Sequence, residues 1–464
     1  MLFTSTVFAL LLSITVAGYW AVPSQRARLA LLLVSSLLFY GWHHWPSVFL
    51  LLASIGVNYS SALWQMHRRS KLRLAAIVAF NLAALGWFKY AAFVAYNLQR
   101  LVTALGFTLT TPRIAAWLPL GISFFSFQVI AYQVDVYRGE VAAERSLLRF
   151  SVFKCFFPQL IAGPIVRAAQ FLPQLATRRS FDAAGFHHGL FLVVAGMTLK
   201  LGVADVLALF ANQAFANPSV LSTTAAWTSL YAFAFQLLSD FWGYSTMAVG
   251  MALLFGLDLP LNFRLPYLSA SLQEFWRRWH ITLSQWFRDY VYIPLGGNRS
   301  RATRNVLVTM GLAGLWHGAG WNFLAWGLVN GLWLAVEHRL KNPTHPERSR
   351  GTNGITGWRR ALRILFVFHG VCLCWVLFRA PDLRTASAYY ARLLLPPYQG
   401  TEVPMLLATW LVGFAALHPV LSRWLEPRRF PGLRMGWQIA IAVGMILFTL
   451  AHLGARIDFI YFTF

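Results

Sequence analysis

The sequence has few charged residues. Only 12% of its 464 residues are Asp, Glu, Lys or Arg, whereas soluble domains usually carry about 25%. Hydrophobic residues make up 58% of the chain, and no polar interval is long enough to build the core of a soluble domain. Apolar stretches recur along almost the whole length, and many approach the roughly 20 residues that a helix needs to cross a bilayer. The sequence therefore predicts an all-α polytopic integral membrane protein.

The sequence also contains few cysteines, three in 464 residues. The three cysteines lie in apolar segments, show no metal-ligand spacing and do not make up the even set that a disulfide framework uses. We therefore expect Cys155, Cys372 and Cys374 to be packing residues. No metal ion and no tightly bound cofactor is predicted.

Acidic residues are few beside the basic ones, with 15 Asp and Glu against 39 Lys and Arg. In a soluble protein this excess would suggest a nucleic acid partner. Here the basic residues lie in short segments between apolar runs, which is the pattern of the positive-inside rule, so no nucleic acid is expected. The basic segments near residues 26–28, 68–73, 264–304, 341–363 and 423–434 are predicted to face the cytoplasm.

The apolar segments predict about 11 full crossings, with shorter segments re-entrant or interfacial. We expect a single transmembrane domain over residues 1–464 with a core at about 118–337. The stretch 341–357 is polar and rich in Gly and Pro, which favours a mobile cytoplasmic loop. A short C-terminal tail covers residues 454–464.

Residues 268–298 are neither a typical span nor a typical loop. Ser271 and Glu274 have the spacing of a capping box, and aromatic residues then recur at helical spacing. The segment is predicted to be one amphipathic helix in the cytoplasmic interface, ended by Pro294 and two glycines.

Three residues of that segment are candidates for a binding site. His280 either packs at the interface or helps to bind a donor that arrives from the cytoplasm. Arg277 and Arg278 either face solvent and lipid phosphates or bind the phosphates of a carrier or coenzyme.

His317 is the most unusual residue of the sequence. Between Arg304 and Glu337 there is no Asp, Glu, Lys or Arg, and a rise of about 1.5 Å per residue places His317 on the order of 20 Å from Arg304 along a helix. Ionisable groups at such depth commonly face a cavity or pathway. The imidazole is either hydrogen-bonded to a neighbouring carbonyl or acts as a general base on a hydroxyl that attacks an activated carbonyl. A break between two helices is expected at Gly314, Gly318 and Gly320.

Asp240 is an acid surrounded by apolar residues. It is a supporting candidate that orients an imidazole or pairs with an arginine. The alternative is that it caps or fixes a helix.

Four stretches carry a family resemblance. They are LPLGISFFSFQVIAYQVDVYRG from Leu118, FFPQLIAGPIVRAAQFLPQL from Phe156, QEFWRRWHITLSQWFRDYVYIPLGGNR from Gln273 and GLWHGAGWNFLAWG from Gly314. Together they resemble the membrane-bound O-acyltransferase (MBOAT) family, in particular the bacterial branch that O-acetylates polysaccharides such as alginate.

The resemblance implies a helical bundle around a tunnel from the cytoplasm to the exterior. By the matching motifs, His317 is the catalytic histidine and His280 a supporting residue on the cytoplasmic approach. Asp240 matches the first acid of a family segment in which Thr246 replaces the second acid and Trp242 a serine.

The tail FIYFTF is similar to the end of this branch, except that Thr463 stands where glutamine is usual. The likeness implies that Tyr461 accepts the acyl group transiently. The alternative is an aromatic anchor at the membrane interface.

These observations predict an acyltransferase of the bacterial inner membrane. It would move an acyl group, expected to be acetyl, from a cytoplasmic thioester such as acetyl-CoA to an exported polysaccharide, directly or through a periplasmic acetyltransferase partner. Two alternatives remain: a transporter or channel without chemistry, and D-alanyl transfer to teichoic acid or acylation of a lipid or protein.

Overall fold

The computed structural model describes residues 1–108, 118–340, 357–394 and 435–452, together with scattered positions between 407 and 420. The described residues are overwhelmingly helical and form no strand, so the all-α prediction is confirmed. The predicted loop at 341–357, apart from Gly357, and the tail with Tyr461 lie outside the described residues.

The chain divides into two compact units, one of residues 1–193 and 247–260 and the other of residues 194–246 and 261–464. The single transmembrane domain stays a prediction. The helices of the first unit are α1 (Thr6–Ala21), α2 (Gln25–Gly41), α3 (Pro46–His67), α4 (Lys71–Ala104), α5 (Ile122–Arg138), α6 (Leu147–Cys155), α7 (Phe157–Leu160), α8 (Ala168–Ala176) and most of α9 (Ala183–Met197).

Buried polar side chains link four helices of the first unit. Asn58 on α3 and Asn81 on α4 exchange amide hydrogen bonds of 3.1 and 3.0 Å, and Gln133 on α5 donates to the Asn58 carbonyl at 2.7 Å. The ammonium of Lys154 on α6 donates to the Ser54 hydroxyl. Because buried polar groups need partners, these bonds fix how the helices are placed against each other.

The second unit carries the candidate site. It contains a π-helix (Thr198–Ala204), α10 (Asp205–Ala216), a 3₁₀ turn (Pro218–Val220), most of α11 (Thr223–Leu254), a 3₁₀ turn (Pro266–Leu268), α12 (Leu272–Arg278), α13 (Ile281–Phe287), a second π-helix (Arg288–Tyr292), α14 (Ala302–His317), α15 (Trp321–Leu340), α16 (Trp358–Arg379), α17 (Leu383–Leu394) and α18 (Met435–Ala451).

Four helical segments of the described residues are long and apolar enough to cross a membrane. They are Pro46–His67, Lys71–Ala104, Ala183–Ala216 and Trp358–Arg379. Their length and composition fit the membrane character that the sequence predicts.

The prediction of one amphipathic helix over residues 268–298 is wrong. The helix starts as expected, with the Glu274 N–H donating to Ser271 Oγ at 3.1 Å. It breaks at His280, whose φ of 41° is left-handed, and the Ile281 N–H there donates to the Asn262 carbonyl at 2.9 Å. The aromatic stripe also faces inward, because Trp279 is buried in the protein.

Candidate active site

His317 lies at the end of α14 inside a box of aromatic rings. Its side chain is 5% exposed. The ring centroids of Trp316, Trp326 and Phe378 lie 4.9, 5.2 and 5.1 Å from that of the imidazole, each edge to face. The three rings shield the imidazole from bulk water. They carry no ionisable group themselves, so the imidazole is the group among these four that can take up a proton.

Glycines allow α14 and α15 to pack backbone to backbone. A Cβ on Gly314 would lie 2.2 Å from the Phe323 carbonyl oxygen, and one on Gly327 would lie 2.2 Å from the Met310 carbonyl oxygen. The predicted break is confirmed at residues 318–320. Gly314, however, lies within α14, where it serves close packing.

The end of α16 is held against this hairpin. The Asn322 side-chain amide donates to the carbonyls of Ala380 and Leu377 at 2.8 and 3.3 Å. This contact places Phe378 against His317 although more than 50 residues separate them in sequence.

The structure brings the two predicted histidines together. His280 is 1% exposed, with its ring 4.5 Å from that of Phe241 and 6.1 Å from that of Trp316. Trp316 in turn contacts His317, so one indole links the two imidazoles. Burial lowers the pKa of His280 to about 3, which keeps its imidazole neutral.

A cavity of about 540 Å³ opens beside α12, α13, α14 and α15. Arg277 and Arg288 line it together with Glu337. Arg278 does not line it and instead pairs with Glu274 at 2.6 Å. Of the two candidate arginines, the structure therefore places Arg277 at the cavity.

Aromatic rings connect the cavity with His317. Trp276 lines the cavity, and its ring lies 5.7 Å from that of Trp326, which contacts His317. The indole N–H groups of Trp276 and Trp326 are buried and have no acceptor among the described residues. Buried donors of this kind are available to a bound ligand.

Asp240 belongs to an ion cluster that sequence reasoning missed. The Lys200 ammonium lies 2.9 Å from a carboxylate oxygen of Asp240 and 2.7 Å from one of Asp205. An ion-pair partner of Asp240 is thus a lysine, where one of the two alternatives named an arginine or an imidazole. The other alternative, that Asp240 caps or fixes a helix, stays a prediction.

The first π-helix, Thr198–Ala204, explains why the side chains of Lys200 and Asp205 are in contact. They are five residues apart, and the Asp205 N–H donates to the Lys200 carbonyl, as in a π-helix. An α-helix would bring together residues three or four apart. The sequence does show Lys200 and Asp205 as two opposite charges in an otherwise apolar run. Their spacing of five residues does not predict a contact on an α-helix.

A buried histidine that aromatic rings join to a cavity lies in a chain of apolar helices, of which four described segments are long enough to cross a membrane. These features indicate a helical membrane protein with a candidate active site. Residues 79–378 match the model of the membrane-bound O-acyltransferase family. The chain belongs to this family, and it is an acyltransferase.

Curated relatives agree with the assignment. The probable alginate O-acetylase AlgI of Pseudomonas putida is 40% identical over 84% of this chain and 79% of its own length. The peptidoglycan O-acetyltransferase of Helicobacter pylori is 35% identical over 76% and 71%. The teichoic acid D-alanyltransferase of Bacillus subtilis is 27% identical over 56% of this chain and 68% of its own.

Proposed function

We propose that this protein is an O-acetyltransferase of the bacterial inner membrane that moves acetyl groups from a cytoplasmic thioester to an exported polysaccharide. The observation that carries the proposal is the enclosure of His317 by rings that continue to the cavity. Two relatives that share more than a third of their aligned residues with this chain are named for O-acetylation of a polysaccharide or of peptidoglycan.

The reaction needs one base. His317 takes the proton of an acceptor hydroxyl as the oxygen attacks the thioester carbonyl. The C–O bond forms, the C–S bond breaks, and the thiolate leaves with the proton that the imidazole returns. The Trp326 N–H, which has no acceptor in the described part of the chain, is suited to stabilise the carbonyl oxygen as it gains charge.

The cavity suits the donor. Its volume falls in the range of about 300 to 1,000 Å³ that is usual for small-molecule sites. Arg277 and Arg288 would bind the phosphates of acetyl-CoA or of a carrier's prosthetic arm. Trp276 lies between the cavity and Trp326, which contacts His317, so the donor's thioester would pass it. His280 would help to position His317, because its ring packs against Trp316.

The full membrane architecture is part of the proposal. We propose about 11 crossings, with basic segments at the cytoplasmic face and a tunnel that passes His317. The Glu337 end of α15 lines the cavity. Trp326, which contacts His317, lies 11 residues before Glu337, about 16 Å along the helix. A periplasmic acetyltransferase would then collect or direct the acetyl group.

Reconstitution separates this function from a channel. Purified protein in liposomes that is supplied with labelled acetyl-CoA and a polysaccharide should form labelled O-acetyl ester. A channel would move the polymer or donor without forming an ester. Label that crosses the membrane but remains in the thioester would overturn the proposal. D-alanyl and longer acyl thioesters, tested in parallel, define the donor.

Replacing Tyr461 with Phe tests the predicted acyl relay. If the phenol carries the acetyl group, Tyr461→Phe should lower transfer to the final acceptor about a hundredfold or more, because the ester can no longer form on that oxygen. Mass analysis of the C-terminal peptide checks the step directly and should show one acetyl group on wild type. Unchanged transfer with an unmodified peptide would make Tyr461 an anchor only.

A further inference from the structure

His280 joins two short helices through a strained backbone. α12 ends at Arg278 and α13 begins at Ile281. Between them, His280 has a φ of 41° and a ψ of 54°, in the left-handed region. This conformation is unfavourable for a residue with a Cβ, and glycine usually takes it where a helix ends. A strained residue at a candidate site therefore needs neighbours that hold it in place.

The imidazole of His280 does not cap α13. A residue that precedes a helix usually accepts a hydrogen bond from one of the first N–H groups through its own side chain. His280 makes no such bond within the described part of the chain. Asn262, from the segment before α12, caps the helix instead. Its carbonyl accepts the Ile281 N–H at 2.9 Å, and its Oδ1 accepts the hydroxyl and the N–H of Thr282 at 2.7 and 3.4 Å.

Asn262 is bonded in turn to α11. Its Nδ2 donates to Ser245 Oγ at 3.0 Å, and Ser245 lies one turn after Phe241 on the same face of α11. The ring of Phe241 packs edge to face against that of His280 with centroids 4.5 Å apart. Asn262 and Phe241 thus hold the junction of α12 and α13 against one face of α11. Asn262, Ser245 and His280 are all buried, so water cannot readily replace these contacts.

We propose that Asn262 is a positioning residue of the acyltransferase site. It caps α13 in place of His280 and so holds the left-handed backbone that directs the imidazole toward Trp316, the ring that contacts His317. The proposal rests on the proposed function, because it takes His280 to help position His317. Since Asn262 supplies the cap, the side chain of His280 is left for the site.

Chemical labelling of His280 tests the proposal without turnover. Diethyl pyrocarbonate carbethoxylates accessible imidazoles, and mass analysis of peptides locates the label. In wild-type protein, His280 should react about tenfold or more slowly than His338, which is exposed at the cavity. Asn262→Ala should raise the rate of His280 labelling about tenfold or more, because α13 loses its cap and the junction leaves the left-handed conformation.

Three further variants serve as controls. In Asn262→Asp, a protonated carboxyl group keeps an oxygen that accepts from Thr282 and an O–H that donates to Ser245, so His280 should stay protected. Asn305→Ala removes another buried asparagine of the same unit, which holds the loop before α14, and should also leave His280 protected. Ser245→Ala removes only the bond to α11. It should raise the labelling of His280 about threefold, and it decides the question if Asn262→Ala does not fold.

Turnover separates positioning from a general loss of structure. Per mole of monodisperse protein, Asn262→Ala should lower kcat about tenfold or more. The KM for the acetyl donor should change less than about threefold, because Asn262 does not line the cavity. Asn262→Asp should recover most of kcat.

Several results would each overturn the proposal. They are labelling of His280 in wild type as fast as that of His338, unchanged labelling in Asn262→Ala, equal labelling in Asn305→Ala, and an unchanged kcat in Asn262→Ala. A wild-type protein that forms no ester would contradict the proposed function, whereas the labelling of His280 would still decide the role of Asn262.

Discussion

Replacing His317 with Ala should reduce acyl transfer by about 10²- to 10⁴-fold, the usual contribution of a general base. The imidazole is enclosed by Trp316, Trp326 and Phe378, so water cannot readily take its place. Ester formation from labelled thioester measures the loss, and size-exclusion chromatography shows that the protein remains folded.

His369 offers a matched control on α16. Its Nδ1 lies 2.7 Å from the carbonyl oxygen of Leu365, and its ring packs against Tyr231 rather than within the box around His317. His369→Ala should leave transfer within about twofold of wild type. If His317→Ala retains full transfer, or if both variants lose it equally, His317 is not the base.

Replacing Lys200 with Met should destabilise the protein by about 3 to 5 kcal/mol, the usual effect of removing one partner of a buried ion pair. Asp205 and Asp240 are buried, and without the ammonium their carboxylates repel each other in a medium of low dielectric constant. Thermal unfolding in detergent, followed by loss of monodisperse protein, measures the effect.

Removal of all three charges provides the control. Lys200→Met combined with Asp205→Asn and Asp240→Asn should recover most of the lost stability, because no buried charge is left without a counter-ion. A Lys200→Met protein that unfolds at the wild-type temperature would show that the cluster contributes little to stability.

Composition and local pattern predict much of this structure. The scarcity of charge indicates a membrane bundle, and the isolated imidazole at His317 draws attention to the candidate site. The capping spacing of Ser271 and Glu274 gives the start of α12 correctly. These features depend on residues close together in the chain.

Other features depend on contacts that are distant in sequence or on an uncommon backbone. The break at His280 is supported by Asn262, which the helical period of the aromatic residues does not reveal. The Lys200–Asp205 contact follows from a π-helix, and helical periodicity assumes an α-helix. Phe378 approaches the site through the Asn322 contact with the end of α16, which one sequence cannot show.

The central claim is that an acyl group passes His317 from a donor at one membrane face to an acceptor at the other. Oriented proteoliposomes test it most directly, with labelled acetyl-CoA confined to the face that bears the basic segments and the polysaccharide acceptor confined to the opposite face. We predict labelled ester on the opposite face with wild-type protein and at least about a hundredfold less with His317→Ala. Ester on the donor face, or equal ester with His317→Ala, would contradict the claim.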